Sequence, residues 1–347
     1  MTPAELRPRR GAVRRRLAAV VLAAAALGGC ALGGIPAEEL PASPIAVGYR
    51  DAEQARQRAE LLAKPEQQRR PRAGVARVKD VQRALGATDP ASLVQEQAAR
   101  LALVDPTSAA VEILENAPRG AEPYSWSPDR TQLSFVLTVD GAAQVHVLDR
   151  TSGEVRRLTH GGSGHGHGAL GPDGRAAWTR AETVDGQSVL RIWATGPRLA
   201  SPRAVSPGPS DRTPAWAPDG RALVYVGRGA DGVDVIQRVD AAGGEPQMLA
   251  RGRDPVFSPD GQWIVYSART GSGQRLWKMR PDGSGRLPLG QGSTEVDDEI
   301  RPAVSPDGRF VAYVGEAQHR QVLRVRRMDG TGDRILLEDG DGASPAW

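Results

Sequence analysis

One pattern recurs five times along this chain: a short apolar strand, a tight Pro-Asp turn and a second apolar strand. It reads YSWSPDRTQLSFV from Tyr124, GALGPDGRAAW from Gly168, PAWAPDGRALVYV from Pro214, PVFSPDGQWIVYS from Pro255 and PAVSPDGRFVAYV from Pro302. A sixth, truncated copy, SPAW, occupies Ser344 to Trp347. The turn aspartates Asp129, Asp173, Asp219, Asp260 and Asp307 stand 44, 46, 41 and 47 residues apart. A period of about 40 to 50 residues with several short strands per unit is the signature of β-propeller blades.

Each unit divides into four strands. In the fourth these are Pro255 to Phe257, Trp263 to Ala268, Arg275 to Met279 and Leu287 to Leu289, separated by SPDG, TGSG and RPDGSG. Each separator is rich in glycine, as hairpin turns require. In Ser258-Pro259-Asp260-Gly261 the serine suits the first position of a type I turn, proline presets φ at the second and glycine closes the fourth. The repeated aspartate is thus expected to be a turn residue, not a ligand.

The aromatic residues keep the same frame. Three residues before each turn aspartate stand Trp126, Leu170, Trp216, Phe257 and Val304, with Trp347 in the same slot of the last copy. Six residues after it stand Phe135, Tyr225, Tyr266 and Tyr313, with Trp178 one residue early in the second copy. A fixed repeat position is what packing between blades demands, so these residues are expected in the core. ARLALVDPTSAAVEILENA, from Ala99, matches AQVHVLDRTSGEVRRLTHG, from Ala143, and makes Leu101–Asp105 and Val111–Leu114 outer strands. The competing reading puts helices at 78–85 and 91–103. SPAW then supplies the innermost strand of a composite sixth blade, whose second strand has no convincing candidate before residue 100. The fold expected is all-β: a six-bladed propeller of four-stranded antiparallel blades at 99–347, after a short, partly helical N-terminal segment.

The start of the chain is different. Arg7, Arg9, Arg10, Arg14, Arg15 and Arg16 precede an apolar run of eleven residues, Leu17–Leu27. That is too short to span a bilayer and suits the core of a secretory signal. It ends in Leu27-Gly28-Gly29-Cys30, and Cys30 is the only cysteine, so no intramolecular disulfide can form. The run resembles a bacterial lipobox, which implies a signal peptide at 1–29, cleavage before Cys30 and a diacylglycerol on its thiol. Residues 30–48 then read as a tether and 49–98 as a helical or partly disordered linker. With Ala31 after Cys30, the resemblance to enteric sorting patterns favours the outer membrane.

The first thirty residues hold six arginines and one glutamate, so the rest of the chain carries 39 basic and 40 acidic residues. A chain that neutralised nucleic-acid phosphates would carry a basic excess, so no nucleic acid is expected as partner.

The SPDG-type turns, the fourth strands such as Arg156 to Thr159 and the closing SPAW resemble the TolB-type β-propeller of bacterial envelopes, over about residues 100–347. The resemblance implies a non-enzymatic scaffold, monomeric and without cofactor, that binds envelope proteins, a peptidoglycan-associated lipoprotein among them. Related propellers precede the catalytic domain of prolyl-oligopeptidase-type peptidases, but no G-x-S-x-G nucleophile elbow occurs in the sequence.

One alternative stays open. His160, His165 and His167 lie on one connection between blades, and Glu295, Asp297, Asp298 and Glu299 lie on another. In extended chain an H-x-H pair puts both imidazoles on one side, as a metal would need. These seven residues are the candidate loops for a metal or small ligand, or for a metal-dependent lyase. No catalytic residue is assigned.

Overall fold

A computed structural model describes residues 34–50, 98–139, 141–161, 164–271, 273–290, 296–317, 320–338 and 343–347. The strands are β1 Ile45–Tyr49, β2 Arg100–Val104, β3 Val111–Ile113, β4 Glu122–Trp126, β5 Gln132–Val139, β6 Ala142–Asp149, β7 Val155–Arg157, β8 His165–Leu170, β9 Ala176–Val184, β10 Gln187–Ala194, β11 Arg203–Ala204 and β12 Arg212–Trp216. The order continues with β13 Ala222–Arg228, β14 Asp234–Asp240, β15 Gln247–Arg251, β16 Arg253–Phe257, β17 Ile264–Thr270, β18 Gly273–Met279, β19 Leu287–Pro288, β20 Asp298–Val304, β21 Phe310–Ala317, β22 Arg320–Arg327, β23 Asp333–Leu337 and β24 Ala343–Ala346. They form six four-stranded antiparallel sheets, the blades of a propeller.

Blades I to V are sequential, from β4–β7 to β20–β23, and blade VI has the order β24-β1-β2-β3. Because consecutive strands alternate in direction, the turns joining first to second and third to fourth strands share one face, here called lower. The second-to-third hairpins and the connections between blades share the upper face.

The repeated turns behave as their residues dictate. The Ser258, Ser305 and Ala217 carbonyls accept the N–H of Gly261, Gly308 and Gly220 at 2.9 Å, and these glycines have φ between +68° and +72°. Asp260 Oδ1 accepts Ser258 Oγ at 2.5 Å and Gln262 N at 3.0 Å, and Asp307 accepts Ser305 Oγ at 2.6 Å and Arg309 N at 3.1 Å. The aspartates fold their own turns. Where the second copy has Gly171, a Cβ would stand 2.8 Å from the Trp216 ring of the next blade, which explains the small residue at that slot.

Six apolar clusters form, one between each pair of neighbouring blades. Phe135, Tyr225 and Tyr313 are fully buried in them and Tyr266 and Trp178 nearly so. Burial of each such side chain stabilises by about 1.5–3 kcal/mol.

Two expectations are corrected. The stretch read as a tether, 30–48, already belongs to the fold from Ile35: Ile35 and Leu40 are buried, and Ile45–Tyr49 is the missing second strand of blade VI. It pairs Ala46 with Ala346 and Gly48 with Ala343 on one side, and all five of its residues with Arg100–Val104 on the other. The helix reading fails at Arg100–Val104, which is strand because its backbone pairs with β1 and β3. The rest of the expected linker, 51–97, and residues 1–33 with Cys30 lie outside the described residues.

Candidate functional site

The innermost strands share an irregularity that the repeat did not announce. The register shifts between Pro123 and Ser125, Gly166 and Ala169, Arg212 and Ala215, Arg253 and Val256, and Ile300 and Ala303, with a matching shift where β24 meets β1. In five of these bulges a residue other than glycine takes a left-handed backbone: His167 at φ +51°, Thr213 +51°, Asp254 +53°, Arg301 +53° and Ser344 +59°. Each costs on the order of 1 kcal/mol or more, and bulges of this kind re-aim a side chain. Blade I uses Tyr124 in its bulge instead.

These side chains meet around the propeller axis. Tyr124 of blade I donates from its hydroxyl to the Pro214 carbonyl of blade III at 2.9 Å and stands edge-on to His167 of blade II, 5.6 Å between ring centres. Thr179 Oγ1 lies 3.2 Å from His167 Nδ1. Arg301 of blade V donates to Ser344 Oγ of blade VI at 3.2 Å. Among the described residues, Thr213 Oγ1 is buried without a hydrogen-bond partner. Burial raises the Asp254 carboxyl above its ordinary range, against the pull of Arg301 and Arg253. Burial and the Asp254 charge push the Tyr124 phenol well up.

On the upper face beside this ring, Asp234 gathers Arg212 at 2.6 Å, Arg253 at 3.1 Å and Arg228 at 3.8 Å. Partial burial works against its charge, but the arginines hold its carboxyl below the usual range.

The seven candidate loop residues do not share one environment. His160 is exposed, while His165 is buried. The bulge between Gly166 and Ala169 breaks the alternation that would align His165 with His167: His165 answers to Arg180 and Arg157, His167 to Tyr124 and the axis. Asp297 is exposed and Asp298 accepts the Gln274 N–H at 2.6 Å. Glu299 is fully buried in a bidentate pair with Arg326, at 2.8 and 3.0 Å. Glu295 lies outside the described residues. Among the described residues, no three of His, Cys, Asp and Glu assemble as a metal would need.

The histidines make stability pH-dependent. Desolvation, aided by nearby arginines, lowers both His165 and His167 to about 4. Unfolded chains bind protons to these imidazoles below about pH 6.5 while the folded protein does not, so stability falls as pH drops from there toward 4. The raised carboxyl of Asp254 acts in the opposite sense. The variant His165→Leu/His167→Leu should show a flatter loss of unfolding free energy over this window in denaturant titrations. An unchanged slope would place the effect elsewhere.

Residues 93–300 match the TolB beta propeller domain family. No curated protein sequence matches the chain. Among solved structures it is similar to TolB from Acinetobacter baumannii, with TM-score 0.59 and 21% identity over 72% of this chain and 62% of that one. It is also similar to a protein described as TolB from Agrobacterium tumefaciens, with TM-score 0.56 and 22% identity over 68% and 88% of the two chains. An oligogalacturonate lyase in complex with manganese follows at TM-score 0.50 and 13% identity over 69% and 71%. At these identities the likeness is one of fold, and the chain spans 62% of the Acinetobacter protein. The family match covers more than half of the sequence: this chain belongs to the TolB beta propeller domain family.

Proposed function

We propose that this protein is a lipid-anchored lipoprotein on the periplasmic side of the bacterial outer membrane, whose propeller binds other envelope proteins through its upper face. The observation that carries this reading is the upper face itself. Among the described residues, connections between blades there range from one residue, Gly252, to eight, 114–121, on a scaffold of fixed blades. Loops of unequal length on a rigid scaffold are where binding specificity is built. The arginines around Asp234 and the strained polar residues at the axis supply the polar recognition that such a face needs. Family membership supports a scaffold role, and a peptidoglycan-associated lipoprotein is the first partner to test.

Photo-crosslinking residues at Asp231 and Asp297 on the upper face should capture a protein partner in cells. The same residue at Asp219 and Asp329 on the lower face should not. Adducts from the lower pair alone would end the upper-face reading.

The anchor has its own test. Among the described residues no helix is long and apolar enough to cross a membrane. Two or more acyl chains on one cysteine hold a protein stably on a bilayer. Cys30→Ser should therefore move the protein from the membrane to the soluble fraction. A variant that stays membrane-bound would rule out lipid anchoring.

A further inference from the structure

The N-terminal segment that reads as a long tether is instead strapped along the lower face. Ile35 is buried against blades V and VI, and its carbonyl accepts Arg334 of β23 at 3.3 Å. Glu39 then takes Arg327 at 2.8 Å, and its carbonyl accepts Arg309 at 3.3 Å. Further in, the Ser43 carbonyl accepts Trp347 Nε1 at 2.8 Å and the Pro44 carbonyl accepts Arg130 at 2.9 Å. Arg130 closes one first-to-second turn and Arg309 follows another, and Arg327 ends β22 at a third-to-fourth turn, so every one of these contacts belongs to the lower side.

Chain length then limits the geometry. Five peptide steps separate Cys30 from Ile35, and fully extended they reach at most about 17 Å. The blades are taller than that: a seven-residue strand such as β13 rises about 23 Å. An anchor at Cys30 cannot bring the membrane around to the upper face without tearing Ile35 and Glu39 from their partners.

We infer that the lower face at blades V and VI is the surface apposed to the lipid bilayer, which leaves the upper face pointing away from the membrane toward partners. The inference rests on the reading of Cys30 as the anchored residue. It identifies a lipid surface as the neighbour of one face and removes a long reach from the anchor as a way of finding partners.

The test uses the sole cysteine. A chain of residues 30–347 keeps every described strand, and it is coupled through the Cys30 thiol to maleimide-headgroup lipid in phosphatidylcholine vesicles that also carry a headgroup acceptor dye. Donor dyes are placed singly, through an azide-bearing amino acid, at Asp329 on the lower side of blade V or at Val233 on the upper hairpin of blade III. Both positions are exposed. Energy transfer to the bilayer should be roughly twofold or more stronger from Asp329, given a blade height of about 23 Å. Equal transfer, or stronger transfer from Val233, overturns the inference. Chemical coupling makes this result independent of what the cell does to Cys30. Metabolic labelling with an alkyne fatty acid, with Cys30→Ser as control, tests that separately.

Discussion

Arg326→Met is expected to cost about 3–5 kcal/mol of stability, because it removes the bidentate guanidinium that holds a fully buried carboxylate. Arg326 donates to both oxygens of Glu299, to the Tyr313 hydroxyl at 2.8 Å, to Asp333 at 2.7 Å and to the Leu289 carbonyl at 3.0 Å. Tyr313 and Arg324 close the network on Asp333 at 2.5 and 3.0 Å, and Glu299 also accepts the Leu276 N–H of blade IV at 3.2 Å. The network joins all four strands of blade V to blade IV. Burial opposes the guanidinium's charge, but Glu299, Tyr313 and Asp333 raise its hold on the proton above the ordinary level.

At about 2–4 °C per kcal/mol, the midpoint of thermal unfolding should fall by on the order of 10 °C. Glu299→Gln should cost less, since Arg326 keeps Asp333 and no charge is orphaned. The pair Arg326→Met/Glu299→Leu should recover part of the loss, as apolar replacement of a whole buried ion pair often does. Denaturant unfolding of the three variants checks this order. A loss for Arg326→Met smaller than for Glu299→Gln would show that the carboxylate is not held by the arginine.

The same residue shows where a sequence stops being readable. Glu299 stands in an acidic run that looks like a loop of ligands, and its partner Arg326 is 27 positions away. Local composition carries no sign of that pairing, which exists only because β20 and β22 share a sheet. The repeat, by contrast, was legible because each of its marks is local: proline, aspartate and glycine make the turn by themselves, and the aromatics sit at fixed distances from it. Ile45–Tyr49 was missed for the opposite reason. IAVGY is an apolar run without a turn of its own, and both of its partner strands are distant in sequence. The axial ring lay in plain view, three residues before Leu170, Trp216, Phe257, Val304 and Trp347. Its members differ in chemistry, so a search for repeated residue types passes over them. The aligned histidines failed at the bulge, because simple alternation assumes a regular strand.

Removal of residues 343–347 should abolish cooperative folding. The deletion takes β24 from blade VI, frees the pairing edge of Ala46 and Gly48, and opens the ring between blades V and I. An exposed inner edge of this kind is a template for association with another chain. Two indole contacts are lost with it: Trp126 Nε1 donates to the Ala346 carbonyl at 3.2 Å, and Trp347 Nε1 holds the Ser43 carbonyl. The milder Trp347→Ala keeps the strand but empties the space against Phe310, at a cost of about 3–5 kcal/mol. Ser344→Ala, which changes one hydroxyl in the same strand, should stay within about 1 kcal/mol. Size-exclusion chromatography and denaturant unfolding separate the three. If the truncated chain stayed monomeric and unfolded at the parent's midpoint, ring closure by the last strand would contribute nothing, and the six inter-blade clusters alone would hold the propeller. The geometry argues otherwise, because the cluster between blades VI and I counts Ala346 and the one between V and VI counts Trp347 among their buried members.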